Sequence, residues 1–143
     1  AGIRRLVEKL QALLDFHSVT LSLDMPEELM LVCDSQRIEH LFRNLIDNAI
    51  HAMPSGGGIL VRLAQEDSGR ITFAVSDDGK GFSEEALHHF GEAFYSEREG
   101  GMGLGLALVV GVTKGHGGEV RATNKPSGGS VDSGYFLTNA SHD

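Results

Sequence analysis

The chain has 143 residues, 41% hydrophobic and 22% charged, with a formal net charge of -8. That length suits one domain, 1–143, with a core large enough to need no staples, and the acidic balance opposes the phosphate-backbone footprint of a nucleic-acid binder. The single cysteine, Cys33, allows no intrachain disulfide and reads as a small buried hydrophobe, while no apolar run approaches the roughly 18 residues of a membrane span.

In chain order, Ile3, Leu6, Val7, Leu10, Leu13 and Leu14 recur at three-and-four spacing, which predicts a packing helix through about residue 15. Residues 1–17 then form a leading helix and connection, and the blunt start reads as that of an excised fragment without a signal peptide. Val19, Leu21 and Leu23 alternate with polar residues as in a half-buried strand, which Pro26 breaks. A second short strand is expected over 29–32.

The next helix, capped by Asp34 or Ser35 and ended at Met53 by Pro54, carries two faces. Ile38, Leu41, Phe42, Leu45, Ala49 and Ala52 form an apolar stripe, and Arg37, His40, Asn44, Asn48 and His51 form a polar one. Asparagine is a poor helix former because its amide competes for backbone hydrogen bonds. Two of them one turn apart therefore point to a polar wall of a ligand site.

Alternating apolar residues over 59–63 and 71–75, joined by the turn 66–69, predict an antiparallel hairpin. A short helix is expected from Ser83 to Phe90, then a polar, glycine-ended loop. A helix opened by the 101–106 segment runs through Val112 and Lys114 to the glycines at 115–118. Strands at 119–123 and 134–137 close the chain. Hairpin strands with helices inserted between them favour an α+β fold: a two-layer sandwich, a mostly antiparallel mixed sheet with helices on one face.

Three segments carry candidate chemistry. Asp77, ending a strand and followed by Gly79 and Gly81, can offer a carboxylate to an adenine amine, though alone the pattern is more simply a turn. Gly101, Gly103 and Gly105 before a helix allow a phosphate to approach free N–H groups, or equally allow close packing. No lysine follows in P-loop fashion. Asn44 and Asn48 can put an amide oxygen on Mg2+ and further contacts on a triphosphate.

Taken together, these segments resemble the ATP-binding domain of sensor histidine kinases, in the Bergerat-fold group that also holds gyrase, mismatch-repair and heat-shock-chaperone ATPases. The 44–49 run Asn44-Leu-Ile-Asp-Asn48-Ala is similar to that group's asparagine box, and the 77–81 run to its first glycine box. Residues 92–95 resemble the phenylalanine box, and 101–106 the second glycine box. The resemblance implies that Asn48 binds Mg2+, that Asn44 lies beside metal and phosphates, and that Asp77 accepts from the adenine amine. It implies Gly79 and Gly81 at the adenine end, an ATP lid over 90–102 with Phe94, and Gly101, Gly103, Leu104, Gly105 and Leu106 at its phosphate-side hinge. Arg98 and His51 are candidate phosphate contacts, each with a solvated side chain as the plainer reading.

The chain departs from the family pattern at Met102 and Ala93, where threonine and proline are usual, and in the blurred final motif over 128–137. The implied activity is binding of Mg-ATP and transfer of its γ-phosphate to a histidine on a separate or deleted phosphoacceptor helix, with a response regulator as indirect partner. Such a fragment is expected to be monomeric, to make no direct membrane contact and to face the cytoplasm, whether or not its parent is membrane-anchored. Alternatives are a nucleotide-binding pseudokinase, a gyrase-like ATPase or a serine kinase of the same fold. In the gyrase-like case a glutamate would be required at position 44, where this chain has asparagine.

Overall fold

The computed structural model describes residues 2–26, 35–66, 69–90, 92 and 105–137. The expected strand at 29–32, Cys33, the Asp34 cap and the centre of the 66–69 turn lie outside the described residues. The expected leading helix is α1, Gly2–Phe16, and it buries Ile3, Leu6, Leu10 and Leu14. Leu13, expected on that stripe, is instead exposed. Ser18, at a left-handed φ of 58°, turns the chain into β1, Val19–Asp24.

The two-faced helix is α2, Ser35–His51, and it crosses over from β1 to the parallel strand β2, Gly57–Gln65. A parallel pair needs such a connection, because its strands run the same way and cannot be joined by a tight turn. α2 buries Ile38, Leu41, Phe42, Leu45 and Ala49 of the predicted stripe, while Ala52 lies half-buried just past the helix, and Ile46 and Ile50 widen the buried face. The added residues lie toward α1, so this helix is packed on two sides and keeps one narrow polar face.

β2 pairs antiparallel with β3, Arg70–Asp77, as the hairpin pattern predicts. The short helix α3, Glu84–His88, is capped by Ser83, whose Oγ accepts from the Ala86 amide at 3.0 Å. α4, Gly105–Gly115, leads to β4, Glu119–Asn124, and β5, Ser130–Leu137. The five strands lie in the order β1-β2-β3-β5-β4, so the last strand in sequence enters between two earlier ones. All pairs except β1 with β2 are antiparallel.

β5 corrects an expectation: it starts at Ser130, four residues before Gly134, and pairs with β3 along its whole length. Its inward positions are Ser130, Asp132, Gly134 and Phe136, and two polar residues and a glycine erased the apolar alternation that marks a half-buried strand. Gly134 is required there, because a Cβ would collide with the Glu119 carbonyl of β4.

The core lies between the helices and one face of the sheet. Phe42 of α2 meets Phe73 of β3 edge-on at 5.5 Å between ring centroids, and Phe73 meets Phe136 of β5 at 5.9 Å. Burial of rings of this size stabilises by roughly 2–3 kcal/mol each. The column pins α2 above β3 and β5, with the C-terminal end of the helix beside the loop that follows β3.

Candidate functional site

Asp77 is the last residue of β3, and it is buried. Its Oδ1 accepts the Gly79 amide at 2.8 Å, an Asx-type turn, and its Oδ2 accepts the Ser130 hydroxyl at 3.0 Å. The turn and the ligand role are thus compatible, since two carboxylate oxygens offer about four lone-pair sites and these bonds use two.

The loop after Asp77 is held from two sides. The Lys80 amide donates to the Ala52 carbonyl at 3.1 Å, tying the loop to the end of α2. Asn124, at the end of β4, accepts from the Phe82 amide and donates to the Phe82 carbonyl, each at 2.8 Å. Gly81 has φ 77°, and a Cβ there would lie 2.9 Å from Asn124 Oδ1. At Gly79 a Cβ would run into the Ala52 carbonyl. Gly79→Ala is therefore expected to push this loop off α2 and cost about 1–3 kcal/mol of stability, with loss of the Lys80 bond visible as faster amide exchange at Lys80. Slow exchange at Lys80 in that variant would contradict the close approach.

On α2, Asn44 donates its amide to the His40 carbonyl at 2.9 Å, and Asn48 lies half-buried one turn on. His51, next along the stripe, places Nδ1 2.9 Å from the Asp47 carbonyl and keeps its ring half exposed. The Ala52–Lys80 bond sets this end of the helix, which carries Asn48 and His51, against the 77–82 loop that follows Asp77. A crevice of about 300 Å3 opens elsewhere, between α1 and α2, and of the polar stripe it meets Asn44. Its walls include none of residues 77–82 and 130.

α4 contributes Gly105 as its first residue, with Leu106 packed partly against the core. Its C-terminal end is fixed at the far edge of β5, where the Leu137 amide donates to the His116 carbonyl at 2.8 Å. Phe94, Arg98, Gly101, Gly103 and Leu104, with Ala93 and Met102, lie outside the described residues, as does most of the 90–102 lid segment.

Three residues of this corner escaped the sequence reading. Ile59, Asp77, Ser130 and Asn124 form one rung across β2, β3, β5 and β4, and Val61, Val75, Asp132 and Ala122 form the next. Asp132 is 4% exposed in a largely apolar rung, and its Oδ1 has no hydrogen-bond partner among the described residues. Burial, and then the negative charge of Asp77, push its carboxyl up to about 7. The available signal was period two: Ser130, Asp132, Gly134 and Phe136 alternate with Val131, Ser133 and Tyr135.

Chemically, this corner offers a buried carboxylate that can accept from an amine, with glycines that leave backbone open beside it and the amide-bearing end of α2 against its loop. Among the described residues no group of three His, Cys, Asp or Glu side chains could hold a metal. A divalent ion here would take the Asn48 amide oxygen together with oxygens of phosphate and water, which suits Mg2+.

Residues 33–136 match the family described as histidine kinase-, DNA gyrase B- and HSP90-like ATPases. Sporulation kinase E of Bacillus subtilis (strain 168) is 30% identical over 130 residues, covering 90% of this chain and 18% of that protein. Sporulation kinase C of the same organism is 36% identical over 102 residues, 71% of this chain and 24% of its own length. The chain thus spans a quarter or less of these relatives. Among solved structures, the mycobacterial sensor histidine kinase MprB superposes with a TM-score of 0.83 at 26% identity, covering 95% of this chain and 93% of that one. Full-length ShkA in complex with AMPPNP superposes with a TM-score of 0.82 at 26% identity, covering 96% and 30%.

Proposed function

The chain belongs to the histidine kinase-, DNA gyrase B- and HSP90-like ATPase family, and from that premise we propose that it binds Mg-ATP and presents the γ-phosphate to a histidine on a phosphoacceptor helix. The observation that carries this reading is the corner where Asp77, held by Gly79 and Ser130, lies beside the end of α2 that bears Asn48. The AMPPNP complex of the ShkA neighbour supports a nucleotide ligand.

In this reading Asp77 accepts from the 6-amino group of adenine, and Gly79 and Gly81 let the base lie against backbone. Asn48 holds Mg2+, which neutralises phosphate charge when bound. Asn44 stands beside the phosphates, while Gly101, Gly103 and Gly105 lead into the N-terminus of α4, whose amides suit an anion. Leu104 and Leu106 flank that turn, Phe94 and Arg98 belong to the lid, and His51 is a further phosphate contact.

Phosphoryl transfer of this kind is mainly positioning and charge neutralisation, so the chain need supply no nucleophile. The acceptor histidine comes from elsewhere in the parent kinase, and a response regulator receives the phosphate afterwards. The domain acts on the cytoplasmic side as a monomer. A separate acceptor lacks the effective concentration, of order mM, that a short tether gives, and transfer by the isolated domain is accordingly slow.

The gyrase-like alternative needs a general base near position 44. Asn44 is no base, and its amide is turned back to the His40 carbonyl. We therefore expect little ATP hydrolysis.

Calorimetry tests the metal role. Asn48→Ala is expected to weaken Mg-ATP binding about tenfold, roughly the 1.4 kcal/mol of one lost polar contact, with little effect on ATP in chelator. Equal affinities with and without Mg2+ in the unsubstituted protein would remove that assignment. Joining the chain to candidate phosphoacceptor helices and following labelled γ-phosphate tests the activity. An acid-labile phosphoprotein supports histidine as acceptor, and an acid-stable one favours the serine-kinase reading.

A further inference from the structure

We propose that Asp132 is a positioning residue of the base-binding corner: uncharged, it leaves the Ser130 hydroxyl committed to Asp77, and on losing its proton it competes for that hydroxyl and weakens binding of the base. The proposal rests on the reading of Asp77 as the adenine acceptor.

Ser130 and Asp132 are two apart on β5 and face the same side of the sheet, where Ser130 lies opposite Asp77 and Asp132 opposite Val75. Ser130 has one proton to give, and it goes to Asp77 Oδ2 at 3.0 Å. Asp132 Oδ1, buried, is an acceptor without a donor among the described residues. An ionised Asp132 has the stronger need for that proton, because a buried charge without hydrogen bonds is costly. A neutral Asp132 has no such need, so the Ser130 hydroxyl stays with Asp77 and leaves Asp77 an acceptor, as an amine requires.

The surroundings leave few competitors for this control. From β3 the charge facing Asp132 is Asp77, which acts to keep its proton on. From β4 the side chain opposite is Ala122, with Val120 and Asn124 a rung to either side. The buried residues of α4 are Val109, Val112 and Thr113, none of them titratable, and its Lys114 is exposed. From α2 the buried residues nearest the sheet are apolar, Leu45 and Ala49 among them. His116 packs on Phe136, toward the far end of β5. With its carboxyl up at about 7, Asp132 changes charge near neutrality, and a base seated over Asp77 excludes water and raises the cost of that charge further.

Adenosine is the probe, because it carries no phosphate and needs no metal. Titrated into the 143-residue chain by NMR between pH 5.5 and 8.5, it is expected to bind about tenfold more weakly at the high end. In the unsubstituted protein the Asp132 carboxyl carbon should titrate about one unit higher with adenosine saturating than without, the reciprocal of that tenfold change. Asp132→Asn, which cannot ionise, should flatten the pH profile. An Asp132 titration that ignores adenosine, or a profile parallel to that of Asp132→Asn, would overturn the proposal while leaving the nucleotide site standing. Failure of both adenosine and ATP to bind at any pH would refute the nucleotide reading and the proposal together.

Discussion

Asp77→Asn is expected to weaken ATP binding by about thirtyfold to a hundredfold with the fold retained. The substitution keeps one oxygen, which can still accept the Gly79 amide that now lies 2.8 Å from Oδ1. The other oxygen becomes an NH2 group, toward which the Ser130 oxygen can turn a lone pair. What is lost is the acceptor for the adenine amine, and a donor now faces a donor. A hydrogen bond to a charged group contributes roughly 1.5–3 kcal/mol, and an unmatched pair adds to that. Calorimetry of ATP, with a thermal melt as control for folding, reads the effect. A Kd within threefold of the unsubstituted protein would mean that the base lies elsewhere.

The second large effect is on stability, through Asp132. Its carboxyl is up from the ordinary 3.8 to about 7 in the folded protein. Below about pH 4 both folded and unfolded chains keep the proton and burial of a neutral acid is tolerated. As pH rises from about 4 to about 7 the unfolded chain gives up the proton first, so folding becomes steadily less favourable. Above about 7 both forms are ionised and the loss is complete, on the order of 4 kcal/mol. Most of it, about 3 kcal/mol, falls between pH 5 and 8. Urea unfolding at those two values, in the unsubstituted chain and in Asp132→Asn, isolates it, because the histidines contribute equally to both. Equal pH dependence in the two proteins would place Asp132 in a wetter or better paired setting than the structure gives it.

The periodic parts of this molecule could be read directly. The three-and-four spacing of Ile38, Leu41, Phe42 and Leu45 specified a helix and its buried face, and the alternation over 59–63 and 71–75 specified a hairpin, since one apolar face is all that either needs. Asp77 and the glycines beside it could be singled out as a candidate site because short spacings survive in a linear text. Ser130, Asp132 and Asn124 were not. Ser130 reaches Asp77 across 53 residues of sequence, Asn124 reaches Phe82 across 42, and only the pairing of β5 with β3 and β4 brings these segments together. Asp132 was hidden for a further reason: a carboxylate at an inward position contradicts the apolar alternation by which strands are recognised.

The place of β5 bears on how the protein is made. Synthesis proceeds from the N-terminus, so β3 and β4 leave the ribosome before the strand that lies between them. Until residues 130–137 emerge, β3 keeps an open edge over Arg70–Asp77, the kind of surface on which nascent chains pair wrongly. The Asp77 carboxylate also lacks its Ser130 partner until then. A chain stopped by premature termination before residue 130 would therefore lack an inner strand of its sheet, and its β2–β3 hairpin would be a target for chaperones and proteases.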